Sequence, residues 1–573
     1  MEYIIFGVAL WIFFNIYLFR CLQYDKKKRQ AFIKKLYADY GKPSEKKYPD
    51  GRLDTIAKHY RSHDAEFCLD DITWNDLSMD EVFSSIDYTF SAAGEEALYT
   101  ILRCPCLSED ELKRREELIS YFMTHEDDRV ALSVYFAKMG RTGKYSIYDY
   151  ISYMDTLGNR SNQKHYAMLW FMLAAFLMCF VRLEIGLPAI LVLITINMIT
   201  YFGEKKEIDP YITTFAYFLR VLDMVRELDG YKISVIANEK KNLKKRVQKF
   251  GRFSRFSFLL MHQDNGSSGN PLDIVLDYLR MMLHLNLIKF NTMLKEANEH
   301  KDDILYMIET LGYIEAMISI GCYRKSLQYY TLPVFSELGK ADRKDRNNTH
   351  GLYADQIYHP LIAEPVSNSF SVSKGILLTG SNASGKSTFL KTIAIAQIFA
   401  QTIYTVPAKT YRTSFYRVYS SMSLRDNLSD GDSYFVVEIK AMKRILDAVC
   451  DAGDSEHTCV MSFVDEVLRG TNTVERISAS TEILKSLADK GAFSFAATHD
   501  IELTQLLADE YENYHFEETI ENGDICFNYM LHQGKATTRN AIRLLGVMGF
   551  EEKLIKSAED RAQKFMESGE WNA

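Results

Sequence analysis

The stretch Gly375-Ile376-Leu377-Leu378-Thr379-Gly380-Ser381-Asn382-Ala383-Ser384-Gly385-Lys386-Ser387-Thr388 decides how this chain is read. Its first five residues form a short apolar run of strand length, and residues 389–400 continue in a helical pattern. Between them lies a phosphate-binding sequence. Glycines at its first and sixth positions let successive backbone N–H groups turn toward a β-phosphate. Lys386 reaches the β and γ oxygens, and the Ser387 hydroxyl is placed to ligate Mg²⁺. Gly380, Ser381, Asn382, Ala383, Ser384, Gly385, Lys386, Ser387 and Thr388 are therefore the candidate nucleotide-binding residues, with ATP and Mg²⁺ as the expected cofactors.

Further elements follow in the order that nucleotide hydrolysis requires. Cys459-Val460-Met461-Ser462-Phe463-Val464-Asp465-Glu466 is an apolar strand ending in two carboxylates. Asp465 is the candidate metal ligand beside Ser387, and Glu466 is the candidate base that polarises the attacking water. Phe493-Ser494-Phe495-Ala496-Ala497-Thr498-His499-Asp500 is a second buried strand with a polar end, where His499 is placed to sense a γ-phosphate. Asp426-Asn427-Leu428-Ser429-Asp430-Gly431-Asp432-Ser433 opens a helix, and Ser433 lies at its start, where free N–H groups favour an anion. Leu468-Arg469-Gly470-Thr471-Asn472-Thr473 follows the carboxylate pair directly.

Taken together, these segments resemble the ATPase domain of the MutS family of DNA mismatch repair proteins. Gly534-Lys535-Ala536-Thr537-Thr538-Arg539-Asn540-Ala541-Ile542-Arg543-Leu544-Leu545-Gly546 and the helical pattern at 551–565 are similar to the C-terminal element that pairs two such ATPases. His359-Pro360-Leu361 sits where the family has a His-Pro segment close to its adenine pocket, which makes His359 a candidate. Ile86-Asp87-Tyr88-Thr89-Phe90-Ser91-Ala92-Ala93-Gly94 and Leu112-Lys113-Arg114-Arg115-Glu116-Glu117-Leu118 look like the opening of the helical core. The resemblance runs, with an interruption, from about residue 70 to about 565. It implies a homodimer with composite sites, in which Ser433 of one copy reaches the γ-phosphate held by the other. It also implies DNA binding. Only about 70 residues precede the core-like stretch, too few for the mismatch-reading and connector domains, and no Smr-type nuclease tail follows.

Apolar runs occupy the front of the chain instead. Residues 3–19 are uncharged for 17 positions, about 26 Å of helix, and Arg20, Lys26, Lys27, Lys28 and Arg29 follow. The absence of preceding positive charge and of small residues at a cleavage site argues for an anchor over a cleaved signal. A second block, 166–202, is broken only at Arg182-Leu183-Glu184, Gly186 and Pro188. Its arms of 16 and 18 residues read as a membrane hairpin, with a buried core hairpin as the alternative. Charges at both ends of the block place them on the side of the 26–29 cluster, the cytosolic side where ATP is found.

The remaining composition sets outer bounds. A chain of 573 residues with a formal net charge of −8 points to several domains and neither demands nor excludes nucleic acid. The nine cysteines are scattered, match neither a zinc spacing nor a disulfide framework, and suit a reducing cytosol. Helical periodicity predicts long helices over 212–228 and 272–319. Residues 240–255 hold eight cations and no acid, a pattern open to DNA, to anionic lipid or to a solvated helix face.

The expected architecture is an α/β P-loop ATPase domain of ABC/MutS type, a mixed sheet flanked by helices, preceded by a mostly α-helical core with transmembrane helices. Residues 1–20 form the anchor and 21–69 a basic juxtamembrane segment. Residues 70–340 form the helical core with the hairpin inserted at 166–202, and 341–573 the ATPase domain with a helical dimerisation element. The expected protein is a multi-pass membrane ATPase that binds mismatched or structured DNA, with lipid, DNA and a second copy as partners. A membrane-tethered switch without DNA is the alternative, and a transporter ATPase is a weaker third reading.

Overall fold

The apolar block at 166–202 is an antiparallel helical pair in the computed structural model. The structure describes residues 19–20, 23–62, 65–142, 146–149, 151, 158, 160–255, 278–279, 281–336, 351–381, 384–422, 434–452, 459–468, 471–521, 524–536, 542, 545 and 549–568. The expected anchor at 3–19 lies outside them except for Phe19. Helix α1, Gln163–Val181, is followed after Arg182 by α2, Leu183–Leu228. Two contacts define the antiparallel register. A Cβ on Gly186 would come within 2.6 Å of the Cys179 backbone, and Lys164 pairs with Glu204 at 3.0 Å. The second arm does not stop at 202, as its hydropathy suggests. It continues without interruption for 46 residues, about 69 Å, because 212–228 has its own apolar stripe in phase with the same helix.

Two compact units make up the chain. The helical unit comprises Met1–His63, Ile86–Thr100 and Glu117–Lys325. Its core gathers Phe215 of α2 with Phe253 and Phe290, ring centroids 5.7 and 5.0 Å away. The long helix expected at 272–319 is instead two helices among the described residues, α4, Leu285–Glu299, and α5, Lys301–Ser326. Asp302 and Asp303 in the first turn of α5 favour a fresh helix start there, through the helix dipole. Of the basic stretch, 237–247 forms helix α3, Ala237–Val247. Three cations of the stretch pair inside the unit: Lys244 with Asp229 at 2.7 Å, and Arg246 and Lys249 with Asp303 at 2.5 and 2.7 Å. By length and hydropathy α1, the 183–209 part of α2, and α5 are long and apolar enough to cross a membrane. They differ in exposure: the α5 window is 72% buried, whereas those of α1 and α2 are 11% and 17% buried.

The second unit comprises Asp64–Ser85, Ile101–Glu116 and Ser326–Ala573. Its strands are β1 (Val334–Phe335), β2 (Leu352–Ile357), β3 (Asn368–Val372), β4 (Gly375–Thr379), β5 (Thr410–Thr413), β6 (Tyr416–Ser421), β7 (Cys459–Asp465), β8 (Phe493–Ala497), β9 (Tyr511–Glu521) and β10 (Asp524–Gln533). They form a four-stranded sheet of order β1-β5-β2-β3 and a six-stranded sheet of order β10-β9-β4-β8-β7-β6. In the larger sheet only the β9/β10 hairpin is antiparallel. All five residues of β4 are buried, as expected for a central parallel strand. After β4 come α6, Lys386–Thr402, then α7, Tyr434–Ala452, between β6 and β7, and α8, Thr473–Asp489, between β7 and β8. The chain leaves β4 for the far edge and returns strand by strand, then passes to β9 on the other side. The carboxyl end of β4 is therefore the point where the winding changes direction, the place where α/β sheets open a crevice for ligands. Helix α9, Glu552–Ser568, follows the sheet and accounts for the helical pattern read at 551–565.

One reading needs correction. Cys68 and Cys104 are joined in a disulfide across 36 residues, although their spacing suggested no disulfide framework. The fold makes this pair by laying 68–70 along the end of the helix Ala92–Arg103, where the Leu69 amide donates to the Arg103 carbonyl at 2.7 Å.

Candidate active site

The loop between β4 and α6 is shaped by two glycines in the left-handed region. Gly380 has φ +145°, and a Cβ there would lie 3.0 Å from both the Phe516 carbonyl and the Ser384 hydroxyl. Gly385 has φ +101° and caps α6, and a Cβ there would lie 3.1 Å from the Tyr529 ring. Neither position accommodates a side chain without strain. Lys386, the first residue of α6, is buried. Its ammonium donates to the Gly380 and Ser381 carbonyls at 2.8 and 2.7 Å, so the lysine lies folded along the loop. The Ser381 hydroxyl donates to the Glu518 carboxylate of β9. Asn382 and Ala383 lie outside the described residues. Ser384, Gly385, Lys386, Ser387 and Thr388 all line one cavity of about 760 Å³.

The carboxylate strand meets this loop. The Ser387 hydroxyl donates to Asp465 Oδ2 at 2.5 Å, a contact across 78 residues that the sheet order creates by placing β7 two strands from β4. Glu466 follows at once with φ +58°, and Leu468 has φ +59°, two non-glycine residues held in the left-handed region. Such conformations cost about 1–3 kcal/mol each and persist where neighbours over-determine them. The Glu466 amide donates to the Ala497 carbonyl at 2.9 Å, and His499 Nε2 lies 2.9 Å from Glu466 Oε1. Asp465, Glu466 and His499 thus stand together at the ends of β7 and β8. Arg476 of α8 grips Asp500 with two hydrogen bonds, 2.8 and 2.6 Å, and so holds the turn that carries His499.

On the opposite wall are His359, Asn368 and Tyr529. Burial pushes the His359 imidazole down to about 4, and Lys391 adds to the shift, so its ring is neutral at neutral pH. His359 Nδ1 accepts from the Leu361 amide at 3.3 Å, which leaves the other ring nitrogen as the donor. Tyr529 has φ +54° in an irregularity of the β9/β10 ladder. Asn368 fastens it, donating to the Tyr529 carbonyl at 3.0 Å and accepting from the Leu531 amide at 2.7 Å.

The structure therefore gathers the described candidates Gly380, Ser381, Ser384 to Thr388, Asp465, Glu466 and His499 at the carboxyl edge of the six-stranded sheet, with His359, which follows β2 of the smaller sheet, on the facing wall of the cavity. Ser433 lies outside the described residues, as do Arg469 and Gly470 of the loop after Glu466. Sequence reading missed Tyr529, Asn368 and Arg476. A tyrosine in a strand-like stretch, an asparagine between two serines and an arginine within a helix carry no local signal of a site.

Fold and site together define an α/β domain with a mixed sheet flanked by helices and a glycine-shaped loop opposed to paired carboxylates. Residues 376–566 match MutS domain V, the ATPase domain of that family. Similar proteins include the DNA mismatch repair protein MutS of Thermotoga petrophila, 28% identical over 279 residues, which are 47% of this chain and 33% of that protein. MutS protein homolog 4 of Mus musculus is 30% identical over 280 residues, 46% of this chain and 27% of that protein. The DNA mismatch repair protein MutS of Thermus aquaticus is 29% identical over 205 residues, 35% of this chain and 24% of that protein. Over this domain the chain is similar to MutS proteins, and it spans a third or less of the length of these curated relatives.

Proposed function

We propose that this protein binds and hydrolyses ATP at the β4–α6 loop, and that two copies close around the nucleotide. The observation that carries this reading is the direct meeting of the Ser387 hydroxyl with Asp465, with Glu466 and His499 alongside. Two hard oxygen donors converging on one point fit a divalent cation of the Mg²⁺ kind. Ser387 and Asp465 would hold it, and when bound it supplies positive charge to the β and γ oxygens. Lys386 releases its two loop carbonyls to bind phosphate, and the N–H groups of the glycine loop cradle the same oxygens. Glu466 takes a proton from the attacking water, and His499 orients Glu466 and reports the γ-phosphate. His359 and Tyr529 receive the base. In the dimer Ser433 of the second copy completes each site, and the apolar residues exposed near and on α9, Phe550 and Leu554, support pairing there.

The reading extends to a multi-pass membrane protein whose ATPase domain is cytoplasmic. Outward apolar residues of the hairpin, such as Trp170 at 70% and Phe180 at 78% exposure, support contact with lipid. The unbroken α2 then serves as the lever between the hairpin and the helical core. DNA is the proposed partner, because similar proteins carry the name DNA mismatch repair protein. The internal pairing of Lys244, Arg246 and Lys249 favours a second reading, a membrane-tethered switch that does not bind DNA.

The test uses the detergent-solubilised full chain. Lys386→Ala is expected to lose nucleotide binding, whereas Glu466→Ala is expected to bind ATP, lose turnover and accumulate as closed dimer. Equal turnover by wild type and Glu466→Ala refutes the assignment. Binding to homoduplex, mismatched and branched DNA across a salt series separates the two partner readings, since phosphate contacts weaken steeply with salt.

A further inference from the structure

The strand beside the carboxylates is held by a short helix from far upstream. β6 pairs with β7 as far as Ser421 opposite Val464, one residue short of Asp465. The next residue, Met422, is buried and lines the cavity that contains Ser387, Asp465 and Glu466. The turn Ser420 to Met422 makes its polar contacts with the helix Asp71–Asp76. Asp76 Oδ2 accepts from the Ser420 hydroxyl at 2.7 Å and from the Met422 amide at 2.8 Å, and Thr73 Oγ1 accepts from the Ser420 amide at 3.1 Å. A second grip closes over the same turn, because Arg444 of α7 donates both to the Ser420 carbonyl and to Asp70, the residue capping that helix.

The short helix is itself fixed. Asp70 Oδ1 accepts from the Thr73 amide at 2.7 Å, and Arg103 pairs with Asp71 while its guanidinium lies 4.6 Å from the Trp74 ring centre. The Cys68–Cys104 disulfide lies next to both. Asp76 is only 2% exposed, so its carboxylate is held among protein donors away from solvent. The chain on either side of this segment, before Asp64 and after Ser85, belongs to the helical unit.

We propose that Asp76 is a positioning residue of the nucleotide site: it holds the Ser420 to Met422 turn, and through it the cavity wall adjoining the Asp465-Glu466 pair. The inference rests on the reading of the cavity as an ATP site. Affinity there is carried by the glycine loop, Lys386 and the His359 wall, whereas the hydrogen bonds of Asp76 described above go to Ser420 and Met422. Removing its hold shifts the wall next to the base and leaves the phosphate loop in place, so turnover falls while binding persists.

The experiment measures nucleotide affinity with a fluorescent ATP analogue, and kcat and KM for ATP, on the full-length protein in detergent. Asp76→Asn and Ser420→Ala are compared with Asp80→Asn, which removes a carboxylate from the same segment whose partner is the Trp74 indole at 2.7 Å rather than β6. Misplacement of groups near a reacting centre costs rate steeply, so Asp76→Asn is expected to lower kcat about tenfold or more, with affinity within about threefold of wild type. Ser420→Ala, which removes the hydroxyl donor and leaves the carboxylate, moves kcat the same way by less, and Asp80→Asn behaves as wild type. The proposal is overturned if Asp76→Asn and Ser420→Ala lower kcat no more than Asp80→Asn, or if affinity falls in step with kcat. Should Asp76→Asn not fold, Ser420→Ala against Asp80→Asn decides alone. Wild-type protein that neither binds nor hydrolyses ATP would instead sink the ATP reading on which this rests.

Discussion

At the scale of single residues, Tyr529 shows how a site can depend on a side chain that no motif announces. Its backbone is in the left-handed region, its ring stands over Gly385, and Asn368 secures the chain at the Tyr529 carbonyl and at the Leu531 amide two residues on. An aromatic face in that position suits a nucleotide base, and aromatic stacking contributes about 0.5–1.5 kcal/mol beyond simple burial. Tyr529→Ala is therefore expected to weaken ATP binding about three- to tenfold with folding unchanged, and Tyr529→Phe to retain affinity. Titration with a fluorescent nucleotide measures this, and identical affinity in Tyr529→Ala would place the ring outside the base site. Lys386, Ser387, Asp465 and Glu466, by contrast, were readable as letters. Phosphate and metal chemistry demands those residue types at fixed spacing from a strand end, whereas a stacking surface accepts any aromatic delivered from any part of the fold.

At the scale of elements, the helical unit depends on one close crossing. A Cβ on Gly312 of α5 would fall inside contact distance of the Ala93 carbonyl, and one on Gly94 would strike the Glu315 carboxylate. Glu315 is needed where it is, since it accepts from the Phe90 amide at 2.6 Å and the Ser91 amide at 3.2 Å ahead of the helix Ala92–Arg103. Overpacking such a site costs about 1–3 kcal/mol. Gly312→Ala is accordingly expected to destabilise the helical unit by that amount, read as a lower denaturation midpoint, while nucleotide binding by the sheet unit is retained. A midpoint equal to wild type would show that the helices can separate at no cost. Helix type and approximate position were legible at this scale from periodicity alone. The run of α2 through Pro210 to Leu228, and the break at His300, were not, because helix continuity is decided by what lies against each face.

At the scale of the whole molecule, buried carboxyls tie stability to pH. Burial raises Glu96 to about 8 and Glu315 to about 7, although hydrogen bonds from Ser146 and Ser91 pull the other way. Both folded values lie above the ordinary 4.5, so the folded chain keeps protons that the unfolded chain releases. The stability linked to them is fully present below pH 4.5 and is lost as pH rises through about 7 and then about 8. Glu96→Gln is expected to unfold at the same temperature as wild type at pH 5 and several degrees above it at pH 8.5, by thermal denaturation of the full chain. Equal shifts at both pH values would contradict a buried, proton-holding Glu96. What the amino-acid order determined unaided was the strand-loop-helix setting of the glycine loop and the strand ending in Asp465 and Glu466, together with the apolar hairpin, because each is encoded in short contiguous runs. The meeting of Ser387 with Asp465, the Cys68–Cys104 pair, and the docking of the helix Asp71–Asp76 onto β6 were decided only by the tertiary structure. Each joins segments 36 to 344 positions apart, and proximity across such distances is set by sheet order and packing rather than by local pattern.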